Sequence, residues 1–457
     1  MPVSFKEQGG AATMDPSSLR RWITSRLMSY LFAPQQIARR RVKAEQRRQQ
    51  QRAPHTVEYF HQIDDGYSHL SAQLLPSLMA RYAIELDCHL VGPPQGNNVA
   101  EPELLSRLSR CDAYLIAPNY GLHFPEHSDA PSATLLSQAA AILSAQNAAD
   151  FAQLAAPVGA ALWQRDATRL QVLAIEYGNA PTQRVEARLA QGNARRQALK
   201  HYSGAMFYYA GEWYWGVDRL YHLEQRLASL GLDRDPGAPL LAPRPGLQRV
   251  SSPKAAALTL EIYASLRSPY TAIIFDRAVQ LARESGVQLA VRPVLPMVMR
   301  GVPATREKGM YIFMDAAREA IASGTPYGRF YDPIGNPARR AYALYPWALE
   351  NGRGIELISS FLRHAFVLGV NTGTDRGLEQ VVSAAGLDWS VARRHLGATG
   401  WEPILEANRV AMYEAGLWGV PSFRLLDENG DQRVAVWGQD RLWVIADAIK
   451  QFVESVD

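Results

Sequence analysis

Trp418-Gly419-Val420-Pro421-Ser422-Phe423-Arg424-Leu425, followed after a turn by Val436-Trp437-Gly438-Gln439-Asp440-Arg441-Leu442, is the run on which the fold is decided. Ser422 to Leu426 reads as a short strand, Asp427 to Asp431 as a hairpin loop of turn residues, and Arg433 to Trp437 as the returning strand. A helix is expected to begin near Asp440. Proline is tolerated at the start of a strand, and Pro421 stands there. An X-Pro bond at that place can be cis and hold the carbonyl and amide of Val420 toward a ligand.

Upstream of this hairpin the chain runs through one plan twice. His55 to His61 reads as a strand, Leu70, Leu74, Leu75 and Leu78 mark a helix, and Ile84 to Val91 a second strand. An Ala- and Leu-rich helical region follows to about Lys200, then Ala205 to Tyr209, the turn at Ala210-Gly211-Glu212, the strand Trp213 to Trp215 and a helix from Asp218. The second pass has strands at Leu258 to Ala264 and Val287 to Val294, helices from Thr305 to Tyr413, and the closing hairpin and helix. At an offset of 203, Glu58 falls on Glu261, Asp65 on Ser268, Tyr67 on Tyr270 and Asp112 on Asp315. After the helical region Ala205 matches Pro421, and Trp215-Gly216-Val217-Asp218-Arg219-Leu220 matches Trp437 to Leu442. The expectation is a tandem duplication of an α/β fold.

At 457 residues the chain exceeds one ordinary core, and 47% apolar with 20% charged residues is ordinary for a folded soluble protein. No apolar run is long enough to span a membrane, and the first fifteen residues carry no secretory pattern, so cytoplasm is the expected compartment. Cys88 and Cys111 are too few for a disulfide framework or a metal cluster, and no metal site is expected. Cys88, on a strand, reads as a buried small hydrophobe.

The net charge of +4 hides an asymmetry: residues 20 to 52 hold ten Arg or Lys against Glu45 alone, which is +9 and leaves about −5 for the remainder. Within it Leu19, Trp22, Ile23, Leu27, Tyr30 and Leu31 recur at helical spacing, whereas Arg39 to Arg52 is almost wholly polar. Two readings compete. The favoured one packs the apolar face on the protein itself, or on a twin in a homodimer, with a solvated linker behind it. The other lays residues 17–52 on an anionic membrane surface. Nucleic acid is not expected as a partner, because no aromatic platform interleaves the basic residues.

A strand-helix-strand unit, a helical insertion and a closing hairpin with a helix make a thioredoxin-like fold. The second copy resembles the group of 2-hydroxychromene-2-carboxylate isomerases and kappa-class glutathione transferases, relatives of DsbA-type disulfide oxidoreductases. It carries their Ser268-Pro269-Tyr270, Lys308-Gly309-Met310-Tyr311 with Asp315 and Arg318, Ala385-Gly386-Leu387-Asp388, Gly419-Val420-Pro421 and Trp437 to Leu442. The resemblance implies that Ser268 hydrogen-bonds the sulfur of glutathione at a helix N-terminus, where a hydroxyl and the helix field favour thiolate. It implies that Val420, before Pro421, pairs its backbone with the cysteinyl part, and that Gln439 and Asp440 take the γ-glutamyl end. Taken one at a time, Ser268 and Asp440 also read as plain helix N-caps.

Residues 268–271 are Ser-Pro-Tyr-Thr where a disulfide oxidoreductase would have Cys-x-x-Cys, so direct thiol-disulfide exchange is disfavoured. Arg267 departs from the family's pattern and adds a positive charge beside the sulfur or points into solvent. The first copy, with Asp65 and Ala205 at the two decisive places, reads as degenerate and structural, since a carboxylate opposes thiol ionisation. The fold class expected is therefore α/β, two tandem thioredoxin-like domains, each with an inserted helical lobe. The domains are a basic segment 1–54, a degenerate domain 55–232, a Pro/Gly-rich linker 233–256 and a domain 257–457 with a glutathione site. The expected function is that of a glutathione-dependent isomerase or transferase acting on a small apolar or aromatic electrophile; a non-catalytic tandem scaffold is the alternative.

Overall fold

Each of the two sheets grows from a central strand whose apolar residues leave no face for solvent. In a computed structural model that describes residues 15–126, 129–302 and 304–455, the chain divides into two compact units, Arg39–Pro245 and a second made of the chain up to Ala38 with Gly246–Asp457. The first fourteen residues of the expected 1–54 segment lie outside the described residues.

In the Arg39–Pro245 unit, β1 (Thr56–His61), β2 (Glu85–Leu90), β3 (Met206–Tyr209) and β4 (Glu212–Trp215) form a sheet of order β2-β1-β3-β4. β1 runs parallel to β2 and antiparallel to β3. Val57, Tyr59 and Phe60 of β1 are buried. Helix α3 (Gly66–Arg81) makes the crossover, α9 (Gly216–Ser229) closes the unit, and among the described residues five α-helices lie between β2 and β3. These are α4 (Pro102–Ile116), α5 (Ala133–Ala145), α6 (Ala148–Trp163), α7 (Ala167–Tyr177) and α8 (Thr182–Ala198).

The other unit has the same order, β6-β5-β7-β8, from β5 (Thr259–Ala264), β6 (Gln288–Pro293), β7 (Ser422–Leu426) and β8 (Gln432–Trp437). Its crossover helix is α10 (Pro269–Ser285) and its last helix α17 (Leu442–Ser455), entered through a 3₁₀ turn at Gln439–Arg441. The insertion between β6 and β7 holds α11 (Arg306–Ser323), α12 (Asn336–Glu350), α13 (Gly354–Arg363), α14 (Asp375–Ala384), α15 (Trp389–Ala392) and α16 (Trp401–Glu414). The strands, the crossover and the hairpin fall where apolar alternation and turn residues place them.

The N-terminal segment departs from expectation twice. The helix expected from residue 17 is there as α1 (Ser18–Leu31), but its polar side packs inward. Arg21 and Ser25 are buried, whereas Leu19, Trp22, Ile23, Leu27 and Tyr30 are exposed. The tract behind it is no solvated linker but a second helix, α2 (Pro34–Gln51). Its Ala, Arg, Lys, Gln and Glu are strong helix formers, Glu45 pairs with Arg48 one turn on, and Arg41 forks onto Glu212 at 2.7 and 2.8 Å.

Candidate functional site

Ser268 ends the β5 turn and caps α10. Its Oγ accepts the Thr271 N–H at 3.1 Å, and its hydroxyl donates to the carbonyl of Val420 at 3.4 Å. The Val420–Pro421 bond is cis, the sole cis peptide among the described residues. Two segments 152 residues apart thus meet at one point, the N-terminus of a 17-residue helix. That end leaves backbone N–H groups unpaired within the helix and carries a positive field, so it favours an anion over a neutral group.

The other side of the site is framed by tryptophans. Trp418 and Trp437 meet edge to face with ring centres 5.7 Å apart. Gly419 lets them do so, since a Cβ there would lie 2.7 Å from Trp437 Nε1. Gly438, at φ +123, donates its N–H to the Pro421 carbonyl at 3.0 Å, which ties the residue after the cis bond to the end of β8. Lys308 Nζ lies 5.1 Å over the Trp418 ring. Burial brings its ammonium down to about 8. Sequence reasoning noted Lys308 as part of a motif but assigned it no role; its ring partner is more than a hundred residues away and left no local signal.

Beneath the capping serine, Tyr270 donates to Asp315 at 2.8 Å, and Asp315 accepts Arg318 on its other oxygen at 2.7 Å. Asp315 and Arg318 are buried, so this pair is shielded from solvent and locks α10 to α11. In the Arg39–Pro245 unit Tyr67 donates to Asp112 at 2.7 Å, and each tyrosine lies 45 residues before its carboxylate.

Of the residues expected to hold a cofactor, Ser268, Val420 and Pro421 come together. Gln439 does not present its side chain: it is buried, and its amide donates to Glu319 at 2.9 Å. The helix begins as a 3₁₀ turn at this point, which rotates Gln439 toward α11, so its backbone is what remains for a ligand. Asp440 stays partly exposed, one oxygen 3.5 Å from the Arg441 guanidinium. Arg267 does not point free into solvent. Its guanidinium forks onto Asp332 at 2.9 and 3.1 Å.

The matching place in the other unit is built differently. Asp65 caps α3, and it is filled by internal donors: Ser68 N–H at 2.9 Å, Ser68 Oγ at 2.8 Å and Ser109 Oγ at 3.0 Å. Burial raises its carboxyl above the ordinary range. Ala205, opposite it, has φ +53 in place of a proline. Cys88 is buried, which pushes its thiol up, so it is no nucleophile.

Residues 259–450 match the DSBA-like thioredoxin domain. Among solved structures, that of a 2-hydroxychromene-2-carboxylate isomerase is 17% identical, aligns over 43% of this chain and 97% of its own, and has a TM-score of 0.37. A probable DsbA oxidoreductase of Streptomyces coelicolor is 20% identical over 43% of this chain and 90% of its own, with a TM-score of 0.34. The cytosolic disulfide reductase DsbM of Pseudomonas aeruginosa, in a structure with GSH, is 18% identical over 43% and 98%, with a TM-score of 0.33. No protein of curated function matches the chain.

Proposed function

We propose that the Gly246–Asp457 part of the chain binds glutathione as thiolate at Ser268 and uses it on a small apolar or aromatic electrophile, as an isomerase or transferase. The observation that carries the reading is the convergence of a hydroxyl, a helix N-terminus and a cis-Pro carbonyl edge at one point. A free thiol ionises near pH ~8.5. The Ser268 hydroxyl, turned from the Val420 carbonyl to the sulfur, and the α10 field stabilise only the ionised form, so they lower that value and raise the fraction of nucleophile at neutral pH. In this reading the backbone of Val420 pairs with the cysteinyl amide, Asp440 takes the ammonium of the γ-glutamyl end, and Lys308, cationic below about pH 8, supplies a positive charge beside Trp418.

The thiolate attacks an electrophilic carbon, forming a C–S bond while an electron pair moves onto the substrate's carbonyl. In a transferase that bond stays and the enolate takes a proton from water. In an isomerase it breaks again after bond rotation and returns the thiolate. Disulfide exchange is not part of the reading, because residues 268–271 hold no cysteine.

We read the two units as copies of one ancestral domain, supported by the shared sheet order, the shared Tyr-Asp bond and the matching hydrogen bonds from Gly216 to the Ala205 carbonyl and from Gly438 to that of Pro421. The Asp65 copy is structural, since a buried carboxylate held by three donors has no place for a thiolate.

The test is a thermal shift. Millimolar glutathione should raise the melting temperature by mass action, and Ser268→Ala with Asp440→Ala should abolish the rise. No rise in the wild type, or an equal rise in the double variant, would refute the reading.

A further inference from the structure

We propose that α1 docks this protein on an anionic lipid bilayer surface through its outward face. The usual arrangement of a surface helix is reversed here. Its inward side is polar: Arg21 donates to the carbonyls of Asp332 at 2.7 Å and Ile334 at 2.6 Å and pairs with Asp15 at 2.6 Å. Ser25 accepts the Asp332 N–H at 3.0 Å, and Ser29 exchanges hydrogen bonds with the backbone of Phe330. Phe32, just past the helix, is buried and stacks on Phe313. The helix is therefore anchored by backbone-directed polar contacts, which need no apolar stripe.

The stripe faces out. Leu19, Trp22, Ile23, Leu27 and Tyr30 are 49 to 68% exposed, and at a step of about 100° per residue they lie on one arc of the helix. A contiguous apolar face on a folded protein marks an interaction surface. Two features of the face say what kind. Trp22 and Tyr30 are the side chains that sit at headgroup depth, with an apolar ring and a polar tip. The charged residues on the same face are Arg20 and Arg26, both exposed, and the sequence from Pro16 to Ala44 has no acidic residue. Arg26 lies within the arc, 5.8 Å from the Trp22 ring.

That arginine argues against a second copy as the occupant. A two-fold interface would bring like faces together and oppose guanidinium to guanidinium with no carboxylate on α1 to separate them. An anionic headgroup layer accepts both arginines while the apolar arc enters the acyl boundary. Among the described residues no helix is long and apolar enough to cross a membrane, so the contact is peripheral.

The full-length protein is mixed with vesicles of one part phosphatidylserine to three parts phosphatidylcholine, and with phosphatidylcholine alone, and sedimented. Binding to the anionic vesicles, weakened by salt and cut about tenfold or more in Ile23→Ser with Leu27→Ser, is the expected result. Both positions point to solvent, so the double variant should keep the wild-type melting temperature and its response to glutathione. Arg20→Gln with Arg26→Gln should lose the preference for anionic over neutral vesicles. No partition of the wild type into anionic vesicles, or equal partition of the serine variant, overturns the proposal. So does a wild-type dimer that the serine variant dissociates without any vesicle binding, which would make the face a contact between copies.

Discussion

Lowering the pH from 7 to 5 should destabilise the Arg39–Pro245 unit steeply, because three of its buried histidines are held there as neutral rings. His61, His69 and His201 are 3%, 3% and 6% exposed. Burial is the first cause in each and brings them to about 3, 4 and 3, from an ordinary value of 6.5. A second positive group adds to it: His69 beside His61, His123 beside His69, Arg196 beside His201. Above pH 6.5 the rings are neutral folded and unfolded, and they contribute nothing to the pH dependence. Below 6.5 the unfolded chain takes up three protons that the folded unit refuses, so stability falls with falling pH until about 3. By pH 5 each ring favours the unfolded state by about 2 kcal/mol, roughly 1.5 units at 1.36 kcal/mol each. Three give on the order of 6 kcal/mol, a large part of an ordinary domain's stability.

Asp65 and Glu224 act in the opposite sense, since burial raises both. As the pH falls through their raised values the folded unit gains protons, which offsets part of the loss. The measurement is urea unfolding at pH 7 and pH 5, with proton NMR of the imidazoles. Stability should drop, and three imidazole signals, assigned through His61→Gln, His69→Gln and His201→Gln, should stay in the neutral position at pH 5. Three rings titrating near 6.5 would refute the reasoning, whatever the urea data did.

Four further outcomes are expected. Gly419→Ala should cost about 1–3 kcal/mol in urea unfolding, because its methyl would sit 2.7 Å from Trp437 Nε1, and should weaken glutathione binding with it. Ser268→Cys places a thiol at the start of α10; the pH dependence of its alkylation by iodoacetamide should give a pKa below ~8.5, and an unshifted value would remove the helix field from the account. Asp315→Ala takes its 2.7 Å carboxylate partner from the buried Arg318 guanidinium and should cost about 3–5 kcal/mol, against about 1 kcal/mol for Tyr270→Phe, both read from denaturation midpoints. Lys308→Met should raise stability at pH 7 by up to about 3 kcal/mol, since a cation brought from 10.5 to about 8 costs most where it is charged, with the gain vanishing above pH 10.5. The same variant should lose glutathione affinity in calorimetry.

The sheet and the point of convergence were legible because local chemistry writes them: alternation for the strands, turn residues for the hairpin, a serine-proline pair for the start of α10 and X-Pro at the head of β7. What was not legible needed a partner far away. Arg267 finds Asp332 and Gln439 finds Glu319, 65 and 120 residues distant, and no periodicity announces either. The helix α1 failed for another reason. Helical spacing tells that apolar residues share a face, but the direction of that face depends on what else can hold the helix, and backbone carbonyls at Asp332 and Ile334 hold it by Arg21.

That same loop joins the two proposals in one body. Asp332 gives its carbonyl to Arg21, its N–H to Ser25 and its carboxylate to Arg267, the neighbour of Ser268. The helix is therefore braced on a residue whose other end steadies the turn before α10. Unlike the Arg-Asp pair beneath Tyr270, which is fully buried, Arg267 and Asp332 keep about a fifth of their side chains in solvent, so their ion pair alone contributes little. What makes the junction firm is that one residue satisfies three elements through three different groups. Loss of the carboxylate in Asp332→Asn should therefore leave α1 in place, because its two contacts are to backbone, while freeing Arg267. Vesicle binding should be unchanged and the glutathione response altered; a loss of both together would mean that the turn and the helix fold as one unit through the carboxylate.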